Sequence, residues 1–274
     1  MPKPAYDEGR SARGNLSERQ DQFEGLIEAK ICCFRQADHS KERTTDVREI
    51  QFDATPEKGR VSALLMRPEG ATRVLVLGHG ASSNMRTPMM QAIADALAIE
   101  NIGTFRYNFP YSENKRGRNS KDVCTATIRS AIESAKKAAP DLPILAGGHS
   151  FSGRMTSTAA AESPLDDVSG LVFFSFPLHP AGEPDIKRAE HLSEVKIPML
   201  FLSGTRDTLA ELDLLEPVVK KLGKRATLHL VDTADHSFKI LKRSRKSAED
   251  VFAELARVTR EWSEKINRVE MAGI

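Results

Sequence analysis

The sequence predicts an α/β fold in which a mostly parallel central sheet is opened by an antiparallel hairpin and carries helices on both faces. From Asp46 onward, short β-rich runs alternate with helical patterns, the rhythm of βαβ construction. Two of the runs, Arg73 to Leu77 and Leu142 to Gly147, are almost wholly apolar, as strands covered on both faces must be. A length of 274 residues with 40% hydrophobic and 28% charged side chains suits one large core.

The elements follow in order. Val47 to Phe52 and Arg60 to Met66 flank Pro56 and Gly59 and read as the opening hairpin. The strand Arg73 to Leu77 runs into Gly78-His79-Gly80, a helix from about Thr87 to Ala98 follows, and a strand covers Gly103 to Tyr107. A helix over Lys121 to Ala138 precedes the run that ends at Gly147, and another helix starts after Ser150. Then come a strand over Gly170 to Phe174, an irregular Pro-rich stretch from Phe176 to Leu192, and a strand over Pro198 to Leu202. A helix from Leu209 to Leu222, a strand from Thr227 to Val231 and a helix from Ser247 to about Ile266 close the chain. Ahead of all this, residues 1–22 are charged and rich in Pro, Gly and Ser, the composition of a loose tail. Phe23, Leu26, Ile27 and Ile31 form a helical apolar stripe expected to dock on the main body. The expected organisation is therefore a tail with a docked helix over 1–45 and one domain over 46–274.

Forty Lys and Arg against 38 Asp and Glu leave a formal net charge of +2, so neither a nucleic acid nor a membrane surface is expected as partner. No stretch approaches the roughly 18 apolar residues that span a bilayer, and the N-terminus has no apolar h-region. Of three cysteines, Cys32 and Cys33 are vicinal and badly placed for a relaxed disulfide, which fits a cytoplasmic protein with Cys124 reduced as well. Zinc-binding spacings are absent, as are phosphate-cradling glycine patterns after any strand, so neither metal nor cofactor is expected. The basic run Lys239 to Lys246 lacks interleaved aromatic residues and reads as a solvated approach to the last helix.

The chemistry concentrates at Gly147-Gly148-His149-Ser150-Phe151-Ser152-Gly153, between a buried strand and a helix. A serine on such a turn projects its hydroxyl above the sheet edge, and the helix behind it offers free N–H groups to a developing oxyanion. The pattern G-x-S-x-G is met except at its last place, where Ser152 stands and glycine is displaced to Gly153. A serine needs a base, and the base needs an acid to orient it. Of the seven histidines only His179, His191, His229 and His236 follow Ser150. His229 falls inside a strand, His179 and His191 precede any acid-bearing strand end, and His236 lies in a loop just past a strand, where it could swing over the serine. Asp207, on the loop that ends the preceding strand, is the expected acid, with Asp232 in reserve. The expected oxyanion donors are the amides of Phe151 and Ala81. His79, Gly80, His149 and His179 are the expected substrate contacts.

Residues 46–270 resemble the α/β-hydrolase superfamily, in its small lid-poor branch of dienelactone-hydrolase-like and KANL/Tex-type predicted hydrolases. The resemblance rests on His79-Gly80-Ala81, Gly148 to Met155, Phe176 to Pro180, Glu190-His191-Leu192, Gly204 to Asp207 and Asp235 to Phe238. It implies Ser150 as nucleophile, Asp207 as acid and His236 as base. Dienelactone hydrolases carry cysteine where this chain has Ser150, so their particular activity is not implied. The expected function is hydrolysis of a small ester, thioester or related acyl substrate. A non-catalytic interaction module on the same fold is the alternative.

Overall fold

The computed structural model describes residues 45–115 and 117–272. The tail and the helix expected over 23–31 lie outside the described residues. Eight strands form one sheet: β1 (Thr45–Thr55), β2 (Gly59–Pro68), β3 (Arg73–Gly78), β4 (Ile102–Tyr107), β5 (Ile144–His149), β6 (Val168–Phe174), β7 (Met199–Gly204) and β8 (Ala226–Val231). Their spatial order is β1-β2-β4-β3-β5-β6-β7-β8. β2 is antiparallel to both β1 and β4, and every later pairing is parallel.

Alternation along the strands divides the core into two layers. Val74 and Val76 of β3, Phe173 of β6 and Phe201 of β7 point to one face. There they meet α3 (Lys121–Ala138), α4 (Phe151–Glu162) and α5 (Leu212–Leu222) through Ile128, Ile132, Met155, Leu215 and Val219. Leu75, Leu77, Val172 and Leu202 point the other way, onto α1 (Pro88–Ile99) and α6 (Val251–Ala272), through Ile93, Leu97, Leu255 and Trp262. A one-turn helix, α2 (Pro110–Glu113), follows β4.

Two helices begin later than their apolar periodicity predicts. α5 starts at Leu212 because residues 207–210 form a turn, the Ala210 amide donating to the Asp207 carbonyl at 3.3 Å, and the Leu209 carbonyl is taken by the Leu178 amide at 2.8 Å. α6 starts at Val251 because Asp250 accepts from the Phe252 and Ala253 amides, at 2.9 and 3.2 Å, as a helix-capping side chain does. The basic run ahead of α6 is not wholly solvated. Arg245 turns inward to pair with Glu254, leaving its side chain only 2% exposed. The irregular stretch after β6 contains a 3-10 helix over Lys187–Glu194, anchored where His191 meets Ser157 of α4 at 2.7 Å.

Candidate active site

Parallel strands of an open sheet deliver their connecting loops to one edge, the carboxyl ends, and ligands bind there. Three loops meet at that edge. Ser150 follows β5, Asp207 follows β7 and His236 follows β8.

Ser150 sits at φ 54°, ψ −111°, a conformation that non-glycine residues rarely adopt. Its amide donates to the Phe174 carbonyl at 2.9 Å, which pins the turn to the end of β6. The turn exists only because its neighbours are small. A Cβ on Gly147 would lie 1.9 Å from the Val172 carbonyl oxygen, and one on Gly148 would lie 2.4 Å from the Gly78 carbonyl oxygen. Ser152, standing where the pattern has glycine, fits for a related reason. Its Oγ donates to the His149 carbonyl at 3.1 Å, and Gly78 opposite leaves the space, since a Cβ there would come within 2.5 Å of Ser152 Cβ. The missing glycine is made good by a glycine on the adjacent strand.

The Ser150 hydroxyl lies 2.8 Å from His236 Nε2. On the far side of the ring, Nδ1–H faces both carboxylate oxygens of Asp207, at 2.9 and 2.8 Å. Asp207 is fully buried, and the His236 side chain is one-fifth exposed. The geometry fixes the tautomer. Nδ1 carries the proton toward the carboxylate, so Nε2 presents a lone pair to the serine hydroxyl. Neither the Phe151 nor the Ala81 amide donates to a protein acceptor among the described residues, and Phe151 begins α4, whose positive end lies at the serine.

The three histidines expected to touch substrate are buried and hydrogen bonded to protein. His79 donates from Nδ1 to the Gly80 carbonyl at 2.8 Å and accepts the Phe109 amide on Nε2 at 3.3 Å, joining the loops after β3 and β4. His179 turns its two ring nitrogens to the Pro180 carbonyl at 2.7 Å and to Glu211. His149 donates from Nε2 to the main-chain carbonyl of His236 at 2.9 Å, so the residue before the serine holds the loop that bears His236. Burial pushes His79 and His149 down to about 4, so both are neutral near pH 7. Gly80 lies against His149, where a Cβ would approach the ring nitrogen to 3.1 Å. The bond from His149 to residue 236 leaves no sequence signal, because it joins a side chain to a carbonyl across most of the domain. Asp232, the reserve acid, instead accepts the Lys246 amide at 3.0 Å.

Among the described residues no group of three or more His, Cys, Asp or Glu side chains is placed to hold a metal ion. None of their helices is long and apolar enough to cross a membrane.

An eight-stranded, mostly parallel sheet with a serine, a histidine and an aspartate converging at its carboxyl edge defines an α/β-hydrolase architecture. Residues 71–264 match the family described as the alpha/beta hydrolase domain, and the chain belongs to that family. Solved structures agree in fold. A dienelactone hydrolase from Anabaena variabilis is 18% identical with a TM-score of 0.63, over 80% of this chain and 96% of that chain. A serine hydrolase without a lid from Xanthomonas campestris is 20% identical with a TM-score of 0.62, over 79% of this chain and 95% of that one. An alpha-beta serine hydrolase homologue from Coxiella burnetii is 17% identical with a TM-score of 0.59, over 81% and 97%.

Proposed function

We propose that the chain is a serine hydrolase that cleaves small esters, thioesters or related acyl compounds through an acyl-enzyme. The observation that carries this reading is the continuous hydrogen-bonded chain from Ser150 through His236 to Asp207. Ser150 Oγ attacks the acyl carbon while His236 Nε2 takes the hydroxyl proton, and Asp207 stabilises the imidazolium that forms. The carbonyl oxygen becomes an oxyanion that the Phe151 and Ala81 amides receive. Collapse of this intermediate expels the alcohol or thiol, which takes the proton from His236, and leaves the acyl group on Ser150. Water then attacks and loses a proton to His236, which returns it to Ser150 Oγ as the acyl bond breaks, freeing the acid and restoring the serine. His149 acts by positioning, through the carbonyl of residue 236. The setting we infer is cytoplasmic, a reading supported by the free, buried thiol of Cys124 and the vicinal Cys32 and Cys33.

Labelling with a fluorophosphonate probe followed by intact-mass measurement tests the proposal. One adduct on the wild type that vanishes in Ser150→Ala is expected. A folded wild type that takes no adduct overturns the reading and favours the interaction module.

A further inference from the structure

Arg154 lies one turn into α4, its amide donating to the Ser150 carbonyl at 3.2 Å. Side chains on a helix lean toward its N-terminus, here toward the serine. Accordingly the Arg154 guanidinium carbon stands 5.9 Å from the centre of the Phe151 ring, which itself packs against Phe109 and Tyr111. A guanidinium stacked on a ring keeps its N–H edge free for a ligand. Arg154 is only partly exposed, yet no hydrogen bond or carboxylate partner engages its guanidinium among the described residues. A half-buried cation without a counter-ion is costly unless something else supplies the charge.

Two more arginines with no carboxylate partner among the described residues share the neighbourhood. Ser157 follows Arg154 by one turn on α4 and is bonded to His191 at 2.7 Å; Arg188 precedes His191 by one turn of the 3-10 helix, so it rises beside Arg154. Arg118 adjoins Asn119, whose side chain accepts the Tyr111 amide at 2.8 Å, which places it beside the aromatic wall that Arg154 caps. The carboxylate on the same helix, Glu162, is taken up by Lys121 at 2.5 Å, and Asp185 by Lys187 at 3.1 Å. Burial, then Arg188 and Arg118, push the Arg154 guanidinium below its usual range, the mark of a site short of negative charge.

We propose that Arg154, with Arg188 and Arg118, forms an anion-binding subsite beside Ser150, and that the substrate is an acyl compound bearing a second, anionic group, a carboxylate or a phosphate. The proposal rests on Ser150 being the nucleophile. The guanidinium fork matches either group in a bidentate fashion, and its seat over the ring of Phe151, the residue after the serine, keeps it at the end of α4 that faces the site.

The test compares kcat/KM for mono-p-nitrophenyl succinate, which carries a free carboxylate, with that for neutral p-nitrophenyl butyrate. The ratio cancels any damage common to both esters. It is expected to fall about 10- to 100-fold in Arg154→Gln, and by a smaller factor in Arg188→Gln, mainly through KM. A ratio in Arg154→Gln within twofold of wild type overturns the subsite while leaving the hydrolase reading intact. Failure to turn over either ester counts against the hydrolase reading, and calorimetric titration of the intact protein then decides the subsite. Succinate or inorganic phosphate binding that weakens at least tenfold in Arg154→Gln supports it, the tighter anion naming the group. Equal or absent binding in both proteins overturns it.

Discussion

His229 and His236 stand on either side of the end of β8, and each is hydrogen bonded to a carboxylate that is largely out of solvent. The two pairs use opposite ring nitrogens. His236 gives Nδ1 to Asp207 and keeps Nε2, the outer nitrogen, for Ser150 at 2.8 Å. His229 gives Nε2 itself to Glu254 at 2.8 Å, and the other oxygen of Glu254 is held by Arg245. The first pair ends on a serine hydroxyl at the open edge of the sheet. The second closes on a cation and ties β8 to α6. An imidazole and a carboxylate become reactive machinery only when the acid takes the inner nitrogen and the outer one reaches a group worth deprotonating.

The widest separation of the two pairs should appear in turnover. Asp207→Asn removes the group that holds the imidazole in its working tautomer, and kcat for an activated ester is expected to fall about 10⁴-fold. A loss below tenfold would place His236 and Asp207 in the same structural category as His229 and Glu254.

A third set of histidines sharpens the contrast through pH. His79, His149 and His191 are each held down to about 4, first of all by burial. Their unfolded value is near 6.5, so between these limits the unfolded chain binds more protons than the folded one. Stability from this set is full above about pH 6.5 and is lost as pH falls toward 4, with an uptake approaching about three protons per molecule near pH 5. Urea titrations from pH 8 to pH 4.5 measure it. The slope should lessen by about one proton in His191→Gln, and an unchanged slope would show that His191 is already protonated in the native protein.

The smallest effect is expected at the structural pair. Glu254→Gln should lower unfolding free energy by about 1–2 kcal/mol in urea, while ester hydrolysis stays within about threefold of wild type. Abolished hydrolysis in a folded Glu254→Gln protein would erase the distinction between the pairs.

The sheet was legible because its signals are local. All-apolar runs such as Val74 to Leu77, closed by glycine, announce a buried strand and its end, while β4 and β8, which carry Thr104, Arg106 and His229, were legible from the βαβ rhythm around them. The edge strand β1 extends beyond its apolar part because Thr45 to Glu49 pair with Pro68 to Leu64 of β2, while their exposed side chains leave no apolar pattern to read. Ser150, His236 and Asp207 were locatable because each lies on the loop that follows a strand. Nothing in sequence marks Arg188 as a neighbour of Arg154, or His149 as the anchor of residue 236, since both relations arise only when separate loops are brought to one edge. The helix starts at Leu212 and Val251 were hidden likewise, the first set by a turn whose Leu209 carbonyl is taken by the Leu178 amide, the second by the Asp250 side-chain cap, and neither by apolar spacing.

The backbone of Ser150, at φ 54° and ψ −111°, has a bearing on how this domain can change over time. Such a conformation costs on the order of 1–3 kcal/mol, and glycine would relieve most of it while giving up the hydroxyl. Under the proposed mechanism, reactivity and robustness are therefore opposed at a single codon. A lineage released from the need for hydrolysis would be drawn toward glycine at 150, and a chain that keeps serine there does so against its own thermodynamic interest.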